Sequence, residues 1–222
     1  PLRFWAGKED AIGLSETGTD IIAAGSGCVD NNMAAYTQSL DGTNSACTFY
    51  FDRFYAAINW CNTAIFHAQT VPNPSNDEIL ATTLNKREAE ARVLRTFYYW
   101  ILTETFGDTY YTDQPSTSIV MNPVKTSTDN IYQYMFDDLD WAIKSKLSTL
   151  QNDGGRVTIW TAKALKARLL LTRASEKNDV DMYGQAYDLA KDVIENGPFE
   201  FCLLYTSPSP GDYAASRMPS SA

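Results

Sequence analysis

From residue 49 onward, the apolar side chains of this 222-residue chain recur at spacings of three and four. That repeat puts them on one face of an α-helix. The first run, "FYFDRFYAAINWCNTAIFHAQ" over 49–69, aligns Phe51, Phe54, Tyr55, Ile58, Cys61 and Ile65 as one stripe. "VPNPSNDE" then breaks it: Pro72 and Pro74 stop the helix, and Ser75 with Glu78 three residues on has the form of a capping box opening the next. This second helix is expected over about 77–106, long enough to bend or break early, with Gly107 as its C-terminal stop. In its first half Lys86 with Glu90, and Glu88 with Arg92, stand four apart, the dressing of a helix face that sees water.

A third helix, over about 129–147, turns Tyr132, Met135, Phe136, Leu139, Ile143 and Leu147 inward and leaves Asp137, Asp138 and Asp140 largely off that face. After the turn "NDGG", Thr158 can cap "TIWTAKALKARLLLTRA", which is apolar almost all round and so expects burial on more than one side. "MYGQAYDLAKDVIENGPF" closes the series, with Tyr183, Ala186, Tyr187, Ala190 and Ile194 as its stripe and Gly197 and Pro198 as its stop. The last two helices make a hairpin of the length of a tetratricopeptide-type unit, with alanines where helices must approach closely, although that repeat's tryptophan-leucine-glycine signature is missing. The expected fold class is all-α: tetratricopeptide-like helical hairpins behind a loop-rich N-terminal segment. Residues 7–48 are rich in Gly, Ser, Thr, Asn and Asp, with one short helix expected near 31–38.

Composition narrows the function. A net charge of −9, with Lys and Arg spread out, lacks the basic footprint that a phosphate backbone requires, so nucleic acid is not an expected partner. The four cysteines form no CxxC pair and the one histidine, His67, lies far from any acidic cluster, so no metal or other cofactor is expected. A Cys28–Cys47 disulfide is compatible with the spacing if the protein is exported. No apolar run reaches the length of a membrane span. The chain begins at Pro1 without a basic or hydrophobic leader, so a signal peptide or lipid-anchor cysteine would lie upstream. Beyond residue 201, "CLLYTSPSPGDYAASRMPSSA" has no helical or strand period; it reads as an unfolded tail and looks like a translated sequencing-library adapter.

At "EAEARVLRTFYYWILTETFGDTYY" the order Glu88, Ala91, Arg92, Leu94, Arg95, Phe97, Tyr98, Tyr99, then Phe106, Gly107, Asp108, resembles the SusD-like (RagB/SusD) family of outer-membrane nutrient-binding lipoproteins. "IYQYMFDDLDWAI" looks like that family's next helix, and "GRVTIWTAKALKARLLLTRA" with "YGQAYDLAKDVIENGPFEF" like its glycine-arginine turn and the two helices after it. Earlier, "GTDI" and "FYFDRFYAAINWCNTAI" occupy the places of its threonine-aspartate turn and its first long helix with a buried asparagine, so the resemblance runs collinearly over about 14–201.

The resemblance implies an all-α, tetratricopeptide-like protein. It would be tethered by a lipid to the surface of a Bacteroidota-type outer membrane, binding glycan nutrients without cleaving them and delivering them to a TonB-dependent channel. Contact with the membrane would be only through a lipid anchor that this chain does not carry. It also implies a domain over 1–201 that is incomplete, lacking the export signal and a C-terminal portion, and a non-native tail over 202–222.

Sugar binding needs flat aromatic faces for pyranose rings, with amides and carboxylates alongside for the hydroxyls. "RTFYYWILTETFGDTYY" holds seven aromatics in seventeen positions, but most crowd all sides of one helix, the pattern of burial. Loop positions held by a rigid scaffold are better candidates. The loop "GSGCVDNNMAAYTQSLDGTN" offers Asp30, Asn31, Asn32 and Tyr36, whose alternative role is as turn and cap residues; Tyr110 and Tyr111, beyond the end of the second helix, either face the surface or cover the core. Arg95 and the charges of "EAEAR" read as internal ion pairs or a solvated face.

For an enzyme, no constellation has catalytic spacing and no catalytic residues are assigned: Asp137, Asp138 and Asp140 share one helical turn, and no GxSxG, HExxH, phosphate loop or dinucleotide fingerprint occurs. Two rival functions stay open. One is a helical-repeat scaffold for a protein or peptide. The other is a glycoside hydrolase, which would need two carboxylates about 5 to 9 Å apart across one cleft.

Overall fold

The computed structural model describes residues 16–20, 22, 36, 41–73, 75–145, 147 and 155–199. The short helix expected at 31–38, apart from Tyr36, and the tail over 202–222 lie outside them, as does Cys28 of the disulfide pair. Five helices make up the described chain: α1 (Ser45–Thr70), α2 (Glu78–Phe106), α3 (Thr128–Lys144), α4 (Ile159–Lys177) and α5 (Val180–Asn196). Among the described residues no strand forms; β-pairing is limited to single bridges, Thr17 with Ile22 and Thr109 with Thr126. The all-α expectation holds.

Each helix packs on the next in the chain, and α2 also touches α4. The side-chain pairs show that neighbours run antiparallel. Along α1 and α2, Phe51 meets Phe106, Asn62 meets Arg95, and Gln69 meets Glu88, one index rising as the other falls. The same inversion joins α3 to α4 through Asp129 with Arg173 and Asp140 with Lys166, and α4 to α5 through Lys163 with Asp192 and Ser175 with Tyr183. Successive helical hairpins are thereby stacked side by side, as the length and periodicity predicted. Tyr99, Tyr132, Ile58, Leu102, Ile131, Met135, Leu139 and Leu169 are the large side chains sealed in the interior.

Local chemistry sets the ends of the helices, with one correction. The second helix is opened by Asp77, whose Oδ1 accepts from the amides of Ile79 at 2.8 Å and Leu80 at 3.2 Å, and not by a box between Ser75 and Glu78. A carboxylate two residues closer to the first free amides outcompetes the hydroxyl for them. Thr158 caps α4 as expected, in a reciprocal box with Thr161. Asn178 ends α4 in the left-handed conformation (φ 53°), and Asp179 immediately caps α5.

The bend or early break expected in α2 does not occur. Its 29 residues contain neither Pro nor Gly, and buried side chains run from Glu88 to Thr103 between α1 and α3. It stops at Gly107, whose φ of 71° and ψ of −136° suit glycine and whose amide donates to Thr103 O at 2.9 Å. The third helix ends at Lys144, short of the expected 147, with Leu147 still buried beyond it.

Two expectations about faces are overturned. The stripe expected on α5 is largely outside: Tyr187 is 65% and Ile194 76% exposed, Tyr183 is also exposed, and only Ala186 is buried. The side turned to the core instead carries Met182, Ala186 and Leu189, a parallel apolar set with the same period. Nor is the Glu88–Arg92 pair a solvated dressing. Glu88 is buried, and Arg92 bridges it to Asp138, the one member of the 137–140 acidic cluster that is buried rather than off the inner face. The expected Lys86–Glu90 pair gives way to ion pairs of Glu90 with Arg87 and Arg156.

Candidate functional site

The α2–α3 connection, residues 107–127, is long and has no regular structure, yet one face of α1 holds it point by point. Tyr55, Asn59 and Asn62 stand at intervals of four and three on that helix, so they share a face. The Tyr55 hydroxyl donates to Tyr110 O at 2.6 Å and pairs with Thr109 Oγ1 at 2.5 Å. Asn62 Nδ2 donates to Thr112 O at 3.0 Å and Gln114 O at 3.1 Å, and Asn59 Oδ1 accepts from the Ser116 amide at 2.7 Å. From α2, the Tyr99 hydroxyl both donates to Thr112 O and accepts from Thr112 N, at 2.9 and 2.8 Å. Side chains of the scaffold stand in for the ladder that a strand would have supplied.

The ends of the connection are tied together. Asp108 Oδ1 accepts from the Thr128 amide at 2.8 Å and its hydroxyl at 2.9 Å, and Thr126 N donates to Thr109 O. Those bonds, the amide first, hold the Asp108 carboxyl below the usual carboxylate range. Between the tethered ends the tip exposes Ile119, Val120, Met121 and Val124.

Beneath the connection lies a buried ionic knot. Arg95 is 3% exposed and donates to both oxygens of Asp138, at 2.8 and 2.7 Å, and to Asn62 Oδ1 at 2.8 Å. Burial opposes its charge, but the hydrogen bonds and charge of Asp138 outweigh that, and the guanidinium stays above its ordinary value. Arg92 adds Asp138 and Glu88, and Glu88 Oε1 accepts from Gln69 Nε2 at 2.8 Å. Arg95 therefore grips Asn62, which in turn grips the connection. Of the two roles open to Arg95, internal ion pairing is the one it fills.

Three tyrosine rings run outward from the core through this region. Tyr99 lies against Tyr111 with ring centroids 4.9 Å apart, and Tyr111 is stacked on Tyr134 of α3 at 4.3 Å and 22°. Exposure rises along the series from 1% at Tyr99 to 41% at Tyr134. Burial pushes the Tyr111 phenol up to about 12, so it stays protonated through the neutral range.

Of the residues singled out from the sequence, Asp30, Asn31 and Asn32 lie outside those described. Tyr36 is 72% exposed, with a left-handed φ of 47° and its hydroxyl 3.4 Å from Gly18 O. Tyr110 and Tyr111 come together at the connection, both partly buried. The Tyr110 carbonyl is engaged by Tyr55, and Tyr111 is sandwiched, so the outer face of the stack belongs to Tyr134. Tyr134 stands off the Tyr132, Met135, Phe136, Leu139 stripe, which is the sequence signal for its outward place. A separate groove of about 330 Å³ lies between α1 and α2, floored by Ala57, Ala64, Ala91 and Leu94, with Trp60 beside it.

A family described as starch-binding and associating with the outer membrane matches residues 19–200. A SusD-like protein of Bacteroides ovatus is 29% identical over 158 residues, which are 68% of this chain and 28% of that protein. A solved structure with xylogluco-oligosaccharide is 25% identical, with a TM-score of 0.63 over 75% of this chain and 32% of its own. A laminarin-binding SusD-like protein, 21% identical, superposes with a TM-score of 0.74 over 95% of this chain and 46% of its own, a likeness of fold. The chain thus spans well under half the length of the curated relative it matches.

Proposed function

Because the chain belongs to the SusD-like family, we propose that it binds oligosaccharide at the surface of an outer membrane, without cleaving it, and delivers it to a TonB-dependent channel. The connection between α2 and α3 is the central part of the binding face, with Tyr110 and Tyr111 contributing; Asp30, Asn31, Asn32 and Tyr36 of the N-terminal loop are further candidates for ligand contact. The observation that carries this reading is the fixed connection. A loop of this length is immobilised by Tyr55, Asn59, Asn62 and Tyr99 over a buried ion pair, an arrangement that spends ordering free energy before any ligand arrives. Amide, carboxylate and phenol groups at this face suit a hydroxyl-rich ligand. A net charge of −9 disfavours anionic polysaccharides, so a neutral glycan is the expected class. The relative solved with xylogluco-oligosaccharide supports this direction.

Calorimetric titration against a panel of neutral glycans, including xyloglucan oligosaccharides, laminarin and malto-oligosaccharides, tests the reading. Saturable binding to at least one is expected, and binding to none of the panel overturns it. A second reading, a scaffold for a protein partner, is favoured by the exposed Tyr187 and Ile194 of α5. Retention of glycan binding after both are changed to Ser would separate the two surfaces.

A further inference from the structure

We propose that Tyr134 of α3, rather than Tyr110 or Tyr111, is the ring on which a pyranose stacks, with Asn130, Gln133 and Asp137 around it as the hydroxyl-binding groups. The inference rests on the glycan-binding reading and assigns that function a site outside the loop residues.

Four residues of α3 point away from its core stripe and are exposed: Asn130, Gln133, Tyr134 and Asp137. They are spaced three and four apart, so their side chains meet on one patch, with neighbouring Cβ atoms about 5–6 Å apart. That is the scale of one sugar ring. Tyr134 is the only aromatic of the four, and the others supply two amides and a carboxylate. An apolar ring face surrounded by donors and acceptors is what a pyranose presents in complement, with C–H groups over the ring and hydroxyls at its edge.

The patch is also held in place. The inner face of Tyr134 is covered by Tyr111 at 4.3 Å, and Tyr111 is backed by Tyr99 in the core, so the ring loses little freedom when a ligand covers its outer side. Gln133 Nε2 donates to Asp137 Oδ1 at 2.9 Å, which orients the amide and the carboxylate before binding. Exposed Asp113 lies on the loop side of the same stack and adds to the acidic charge felt by Tyr111. The connection described above is, in this view, the back wall of the site, and Tyr111 acts as a positioning residue.

The test compares the unaltered chain with Tyr134→Ala, Tyr134→Phe and Asp137→Ala, titrating xyloglucan oligosaccharides, laminari-oligosaccharides and malto-oligosaccharides as probes. For whichever probe the unaltered chain binds, Tyr134→Ala should weaken affinity by about tenfold or more, and Tyr134→Phe should keep it within about threefold, since the ring face remains. Asp137→Ala should weaken it without changing the unfolding temperature. Because Tyr134 is partly exposed, its alanine variant is expected to fold, and Tyr134→Phe guards against a purely structural effect. If the unaltered chain binds a probe and Tyr134→Ala binds it within about twofold, the assignment of Tyr134 is wrong while the glycan function stands. If the unaltered chain binds none of the three, the function fails and this inference with it.

Discussion

Replacing Asp138 by Ala tests the claim that a buried ion pair organises the loop face. The carboxylate is 5% exposed and receives three charged hydrogen bonds: two from Arg95, at 2.8 and 2.7 Å, and one from Arg92 at 2.6 Å. Arg92 is cushioned, because Glu88 also neutralises it and part of its side chain reaches solvent. Arg95 has no such relief; its remaining acceptors are the neutral oxygens of Asn62 and, at 3.4 Å, of Asp113. Stranding one partner of a buried pair costs about 3–5 kcal/mol, and the two neutral acceptors argue for the lower end, about 3 kcal/mol. At about 2–4 °C per kcal/mol for a chain of this size, the unfolding temperature should fall by roughly 6–12 °C. Thermal and urea unfolding followed by circular dichroism measure both quantities. The double change Arg95→Met with Asp138→Leu should recover most of the loss, because the desolvation of two charges is removed along with their attraction. A loss below about 1 kcal/mol for Asp138→Ala, or a double variant no more stable than the single one, would show that Arg95 is not stranded when Asp138 is removed.

Gly107→Ala should destabilise the chain by about 1–3 kcal/mol in urea unfolding. Open space surrounds the position, so the cost comes from the backbone at φ 71° alone, and an unchanged midpoint would contradict it. Acid should also destabilise the fold. Asp108 through Thr128, Asp192 through Lys163 and Asn196, and Asp41 through Thr43 all sit below the usual carboxylate range. A depressed folded value means that the stabilisation is fully present above about pH 4 and is lost as pH falls through the lower folded values. The unfolding temperature should therefore drop between about pH 4 and pH 2, less steeply in Asp108→Asn; equal slopes in the two proteins would count against the Asp108 contacts.

What could be read from the sequence depended on how local the signal was. The stripe of α3 contrasts with a polar face, so its buried side was legible from spacing alone, whereas on α1 Phe51 of the expected stripe is exposed and the outer side also carries Trp60 and Phe66. Gly107 announced the end of α2 and Thr158 the start of α4. The helix α5 carries two apolar sets of the same period, Met182–Ala186–Leu189 and Tyr183–Tyr187–Ile194, and periodicity cannot choose between them. Asp138 looked solvated because it stands among other aspartates. Its partners Arg92 and Arg95 lie more than forty residues upstream, and only the pairing of α2 with α3 brings them together. The surroundings of Tyr111 were hidden for the same reason. The sequence puts Tyr111 after a helix end, where exposure is a fair expectation, but a ring from α3 closes over it. Tyr134 gained its outward place from a contact 23 residues away in the chain.

A neutral glycan is proposed to dock where the α2–α3 connection meets α3. Hydrogen exchange with mass-spectrometric readout, with and without saturating xyloglucan oligosaccharide, laminari-oligosaccharide or malto-oligosaccharide, tests it most directly. Ligand-induced protection is predicted over 108–118 and 128–137, with the groove beside Trp60 and the outer face of α5 unchanged. Protection confined to the groove or to α5, or no protection with any of the three glycans, would rule out docking at this face.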